Sequence, residues 1–144
     1  MSYSVDANIF LYASDRTSSH HSLALQFLQS CTINSEPWYV AWPTLMAYLR
    51  VATHPRVFSH PLPPQEALGN IQALLQLPHV RPLSEADGFF EIYREVTRDF
   101  PVRGNLVPDA HLAALLRQHD VLKLYTADRD FRKFDFLDVR NPLE

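Results

Sequence analysis

The sequence predicts an α/β fold: a mainly parallel central sheet with helices on both faces. Two observations carry that prediction. Short β-compatible segments alternate with helical ones along the chain, and helices between strands supply the crossovers that parallel strands need. The composition is that of an ordinary globular chain, 47% hydrophobic and 20% charged over 144 residues. That length suits one domain with a real core, so residues 1–144 are read as a single domain.

The elements follow in order. Residues 1–6 are β-compatible and end in Val5-Asp6, and an apolar run occupies 9–13. Residues 18–30 carry Leu23, Ala24, Phe27 and Leu28 at helical spacing, continued by Cys31. Ser18 or Ser19 is the expected cap. Residues 38–41 read as a short buried strand. Pro43 suits a first helical turn, and 45–52 continue it as an amphipathic helix. Residues 54–64 hold Pro55, Pro61, Pro63 and Pro64 and read as an ordered loop. Residues 65–77 place Ala67, Leu68, Ile71, Leu74 and Leu75 on one helical face, and Pro78 stops that helix. Residues 80–83 form a weak strand, with Pro82 marking a strand end. Ser84 and Asp87 loosely resemble a capping box, opening a helix through Phe89, Phe90, Tyr93 and Val96. Gly104-Asn105 is a turn, and 108–118 is the clearest helix. A strand over 122–127, a loop or helical turn over 128–134 and a last strand over 137–140 complete the chain.

Several function classes drop out. Thirteen Lys+Arg against sixteen Asp+Glu give a net charge of −3, which excludes a histone-like chain but leaves room for a local basic patch. Cys31 is the one cysteine, so neither a disulfide framework nor a cysteine zinc site forms within a monomer. Gly69, Gly88 and Gly104 are the only glycines. They are too dispersed for a loop that cradles phosphates. No Gly-x-Ser-x-Gly elbow or His-Glu-x-x-His pair occurs. The N-terminus lacks a basic region followed by an apolar stretch, and no window approaches the ~20 apolar residues of a membrane helix. The expectation is a cytoplasmic protein that does not touch the membrane.

Parallel sheets gather ligands outside the carboxyl ends of their strands, at a topological switch point. Asp6 ends the first predicted strand, Asp128 and Asp130 follow the 122–127 strand, and Asp109 lies at the start of the 108–118 helix. Converging carboxylates repel and call for a cation. Oxygen ligands select Mg²⁺ or Mn²⁺ over a soft metal. Such an ion lowers the pKa of water and stabilises charge on a phosphoryl oxygen. Each aspartate also has a plainer reading. Asp109 favours the positive end of its helix, and Asp128 and Asp130 suit a solvated turn. Asp6 sits between apolar segments, where burial demands a partner, and Asn8 is a candidate donor to it.

The seven histidines are read as structural or surface groups. Arg129, Arg132 and Lys133 surround the last acidic loop. Arg50 and Arg56 lie in a stretch, 37–65, that has no Asp or Glu and suits contact with phosphates. The aromatic residues Trp38, Trp42, Tyr48 and Phe58 in that stretch suit base stacking or, more simply, core packing.

Three segments in order carry a family resemblance: Val5-Asp6-Ala7-Asn8-Ile9, then residues 105–114 around Asp109, then Thr126-Ala127-Asp128-Arg129-Asp130-Phe131. Together with 48–58 and the closing Asn141-Pro142-Leu143, they resemble a PIN-domain ribonuclease of the VapC toxin class of bacterial toxin–antitoxin systems. The resemblance implies a three-layer α/β/α PIN-like fold and a Mg²⁺- or Mn²⁺-dependent endoribonuclease. It implies a homodimer and an inhibitory antitoxin whose segment docks into the active-site groove. Residue by residue, Asp6, Asp109 and Asp128 match the acidic motifs as metal ligands. Asp130 is their neighbour in the catalytic set, and Asn8 and Thr126 match the supporting polar positions. Arg50, Arg56, Arg129 and Arg132 are the expected RNA contacts. One position departs from the pattern: many relatives carry a glutamate about where Ala47 stands, and no acid lies between Glu36 and Glu66. That departure keeps a second reading open, a weak or inactive PIN-like module that binds RNA or an antitoxin-like protein. A third, another Mg²⁺-dependent phosphoryl-transfer enzyme, lacks a well-placed lysine, since Lys123 and Lys133 are the only two.

Overall fold

The computed structural model describes residues 2–144, so Met1 of the predicted first strand lies outside the described residues. Strands β1 (Ser4–Val5), β2 (Trp38–Ala41), β3 (Val80–Leu83), β4 (Lys123–Tyr125) and β5 (Asp138–Arg140) form one sheet. Its order is β3-β2-β1-β4-β5, and every pairing is parallel. The helices are α1 (Ala7–Ser14), α2 (His21–Ile33), α3 (Trp42–Ala52), α4 (Pro64–Leu75), α5 (Phe89–Val96) and α6 (Leu106–Gln118).

Alternation along the strands feeds two cores. Val5, Val40 and Val80 enter one with Ile9, Ala24, Leu45 and Ile71 from α1 to α4. Ala41, Leu83 and Leu124 enter the other with Leu112, Leu115 and Leu116 of α6 and with Phe131 and Phe134. The architecture is therefore the expected three-layer α/β/α. In α6, Ala110, Leu112, Ala113, Ala114, Leu115 and Leu116 are all buried, as befits a helix covered on more than one side.

Local chemistry sets the boundaries, and several differ from the sequence prediction. α5 begins at Phe89 rather than at Ser84. Gly88 is left-handed at φ 83°, which cannot continue a right-handed helix back to residue 84. The expected capping box does not form. Instead the Gln118 side chain accepts from Ala86 N (2.9 Å) and donates to the carbonyls of Ala86 (3.0 Å) and Asp87 (3.1 Å). At α2 neither serine caps the helix. His20 is the N-cap residue, and Ser18 Oγ accepts from His20 N (3.1 Å) in the turn before it. α6 starts at Leu106, just after left-handed Gly104 at φ 56°, with Pro108 inside its first turn. The proline-rich segment is an ordered loop. Phe58 is buried there, and Leu62 N donates to Ala52 O at 2.8 Å. Arg129–Lys133 forms a 3-10 turn.

Strand order places a switch point between β1 and β4. From β1 the chain moves outward to β2 and β3, then returns to build β4 and β5 on the other side. The crevice outside those two neighbouring strand ends is where such a sheet collects ligands.

Candidate metal centre

Asp6 follows β1 directly and caps α1. Its backbone is extended, and its Oδ1 accepts from Ala7 N at 2.7 Å. Asp6 N donates to Tyr125 O at 2.9 Å, so the ends of β1 and β4 are tied together. Thr126, buried beside them, links the two segments through its hydroxyl. The hydroxyl donates to Asp6 Oδ2 at 2.9 Å and accepts from Asp128 N at 3.0 Å and from Asn8 Nδ2 at 3.1 Å. One donor and two lone pairs are thus all used. Asn8 Oδ1 in turn accepts from Ala127 N at 3.4 Å.

Asp128 Oδ1 accepts from Asp130 N at 2.9 Å and opens the 3-10 turn. Asp109 reaches the same place from the first turn of α6. Asp109, Asp128 and Asp130 each offer a carboxylate oxygen, all within 4.8 Å of one another. Asp6 stands outside that trio.

The electrostatics follow from this crowding. Burial pushes the Asp109 carboxyl up to about 7, with further repulsion from Asp128, Asp6 and Asp130 and partial relief from Lys133. Burial also raises Asp6, and Asp128 adds to it, while the hydrogen bonds from Thr126 and Ala7 oppose the rise. Three hard oxygen donors at this spacing, with their mutual repulsion, fit a divalent cation of the Mg²⁺ or Mn²⁺ type.

The structure sorts the basic residues. Arg129 and Arg132 line a shallow groove with Thr126 and Asp128, and Glu144 lies along its edge. Lys133 acts on Asp109 from the end of the same 3-10 turn. The sequence reading named Lys133 beside the acidic loop without giving it a role; its place at the end of the turn that Asp128 opens is the signal. Arg50 lies in the last turn of α3, exposed. Arg56 lies in the loop beyond it. His60 of that loop acts on Asp15, the C-cap of α1. The loop therefore sits toward the far end of α1 from Asp6, roughly 12 Å along an eight-residue helix. The structure thus gathers Arg129, Arg132 and Lys133 around the acids, and it does not bring Arg50 and Arg56 into that group.

Helix α3 carries no acid, and Ala47 is half-buried on it. His111, two residues after Asp109, is engaged with Glu85 at 2.5 Å and packs edge-on against Phe89. A cavity of about 500 Å³ lies elsewhere, among Phe10, Leu28, Trp38, Tyr48 and Leu74 of the α1–α4 layer.

The PIN domain family matches residues 3–137. Ribonuclease VapC48 of Mycobacterium tuberculosis (strain ATCC 25618 / H37Rv) is 41% identical over 142 residues, 99% of this chain and 98% of that one. Ribonuclease VapC43 of the same strain is 32% identical, covering 97% of this chain and 95% of that one. Among solved structures, VapBC2 from Rickettsia felis bound to a promoter DNA fragment superposes with a TM-score of 0.70 at 15% identity, covering 98% of each chain. Mycobacterium tuberculosis VapC20, titled a Sarcin-Ricin loop cleaving toxin, superposes with a TM-score of 0.67 at 19% identity, covering 96% of this chain and 98% of that one. At those identities the superpositions speak to fold alone, and the fold agrees with the sequence relationship. With the match running from before β1 to the end of the 3-10 turn, and with full-length VapC relatives, the chain belongs to the PIN-domain family, among the VapC ribonucleases.

Proposed function

We propose that this chain is the toxin endoribonuclease of a VapBC-type pair, hydrolysing phosphodiester bonds in RNA with a divalent cation. The observation that carries the reading is the carboxylate trio of Asp109, Asp128 and Asp130 at the switch point. The names of the VapC relatives support the reaction class. Asp6, Asp109, Asp128 and Asp130 are the carboxylates that hold Mg²⁺ or Mn²⁺ or orient its surroundings. When bound, the cation supplies a water of lowered pKa and a positive charge for the phosphoryl oxygen.

The protein's own groups do the rest. Thr126 and Asn8 hold the two strand ends in register, so the carboxylates keep their spacing. Arg129, Arg132 and Lys133 place the RNA backbone beside the acids through its phosphates. Arg50 and Arg56 extend contact to RNA lying farther from the cut. Structured RNA such as tRNA or rRNA is the substrate class, selected through its shape and a single-stranded loop. A cognate antitoxin is the protein partner, supported by the toxin–antitoxin assemblies named among the solved neighbours. The chain works in the cytoplasm as a homodimer.

The test is cleavage of total RNA by the purified protein with Mg²⁺, with Mn²⁺ and with EDTA, beside Asp6→Asn and Asp109→Asn. Discrete fragments that need both metal and the aspartates are expected, and fragments that persist in EDTA reject the mechanism. The half-buried Ala47 favours the second reading, a weak or inactive module that binds RNA or an antitoxin. RNA that is bound yet left intact, with cleavage gained in Ala47→Glu, is the outcome that selects it.

A further inference from the structure

Trp38, Trp42, Tyr48 and Phe58 share a stretch without acids, and the fold separates them. Trp38, Tyr48 and Phe58 are buried. Trp38 stacks on Tyr3 and Phe10, with ring centroids 5.8 and 6.4 Å apart. The Tyr48 hydroxyl is engaged by Ser14 at 2.8 Å and by Asn70 at 2.9 Å. Trp42 differs. It is 39% exposed, in the first turn of α3, so its indole keeps apolar surface open to a ligand.

Strand register places that indole. Ser4 of β1 pairs with Tyr39 of β2. Counting on in the same register sets Asp6 level with Ala41, and Trp42 is the next residue. Parallel strands run about 4.8 Å apart, so the Trp42 backbone stands one strand away from residues 6–7. In the sheet, β1 lies between β2 and β4. Asp6 is thus flanked by Trp42 on one side and by residues 126–133, with Arg129, Arg132 and Lys133, on the other. Along α3, Met46 (49% exposed) and exposed Arg50 follow Trp42 at i+4 and i+8, on one face of the helix. Leu45, Tyr48 and Ala52 fill the roughly opposite face in the core. The open face runs about 12 Å from the indole to a guanidinium. No acid lies between Glu36 and Glu66 to repel a phosphate along it.

We propose that Trp42 is a base-stacking residue: its indole takes the base of an unpaired nucleotide beside the scissile phosphate, and the RNA strand then follows α3 past Met46 to Arg50. The proposal rests on the RNA-cleaving reading above and adds a contact to the base where that reading has contacts to phosphate. Every base has a π-face, so stacking tolerates sequence. Trp42 therefore selects single-stranded RNA over duplex, whose bases are stacked on one another and offer the indole no face.

The test is binding of a labelled single-stranded RNA of about twelve nucleotides, followed by anisotropy in the Asp109→Asn background so that the RNA is bound and not cut. Adding Trp42→Ala is expected to weaken binding about tenfold, the effect of one lost stack. Trp42→Phe, which keeps an aromatic face, is expected to lose at most about threefold. Duplex RNA is expected to bind equally with and without Trp42→Ala. Single-stranded RNA is expected to quench the tryptophan emission of the Asp109→Asn protein and to leave that of the Trp42→Phe variant, which reports buried Trp38, unchanged. Equal affinity for single-stranded RNA with and without Trp42→Ala overturns the proposal and leaves metal-dependent cleavage by the parent standing. A changed sedimentation coefficient of RNA-free Trp42→Ala also overturns it, by making Trp42 a contact between two copies of this chain. No binding of single-stranded RNA by the Asp109→Asn protein overturns the proposal, and if the parent cleaves no RNA either, the reading falls with it. If Trp42→Ala fails to fold, the quenching decides: emission unchanged on binding overturns the proposal.

Discussion

Asp109 carries the pH response of the site. Its folded carboxyl is raised to about 7 from an ordinary 3.8, chiefly by burial and then by Asp128, Asp6 and Asp130. Between those values the folded state binds more protons than the unfolded one, so stability falls as pH rises through the window. The metal-free protein is expected to melt higher at pH 6 than at pH 8. Asp109→Asn removes both the charge and the titration, so it is expected to raise the pH 8 midpoint and to flatten the profile. A parent profile that climbs from pH 6 to pH 8 contradicts this assignment. Several residues of the site were legible one at a time. Asp6 follows a strand, Asp128 follows another, and Asn8 and Thr126 sit two residues from each. The order of their hydrogen bonds was not, because Thr126 lies 120 residues from Asp6 and nothing local fixes the direction of its proton.

At the scale of elements, α6 joins the site to the core. Asp109 lies in its first turn while Leu115 and Leu116 are fully buried beneath the sheet. Leu115→Ala is expected to cost about 2–5 kcal/mol, read from urea unfolding midpoints, through lost transfer energy and the cavity left behind. A loss below about 1 kcal/mol would mean that the surrounding side chains collapse into the gap. Helix α5 shows how an element boundary escapes sequence reading. Ser84 and Asp87 carry the right residue types for an N-terminus, and the apolar spacing from Phe89 supports a helix. What decides the start is Gly88 at φ 83° and a glutamine thirty residues on that holds the preceding turn. Nothing lies within 4 Å of a Cβ built at Gly88, so Gly88→Ala meets only backbone strain, expected to cost about 1 kcal/mol. A neutral substitution there would show that the turn relaxes.

Across the whole molecule, metal binding and stability are linked. An ion that binds the folded chain alone raises stability by about 2.7 kcal/mol at a concentration one hundred times its dissociation constant. Mn²⁺ is therefore expected to raise the unfolding midpoint of the parent, and EDTA to reverse the gain. Asp109→Asn is expected to lose most of that shift. An unchanged parent midpoint at millimolar Mn²⁺ speaks against a preformed cation site. No helix among the described residues is long and apolar enough to cross a membrane.

The sequence by itself determined the fold class and the acids at the strand ends. Alternating periodicities require a parallel layered sheet, and a parallel sheet puts its loops at one end. Motif order along the chain also determined the family. Tertiary structure decided which acids meet. Strand order β3-β2-β1-β4-β5 makes β1 and β4 neighbours, and the first turn of α6 delivers Asp109 beside Asp128 and Asp130. It also separated the arginines, gathering Arg129 and Arg132 beside Asp128 while the Arg56 loop falls toward the far end of α1. Local spacing shows which face or end of its own element a residue occupies; only the pairing of strands and the packing of helices bring distant ends together.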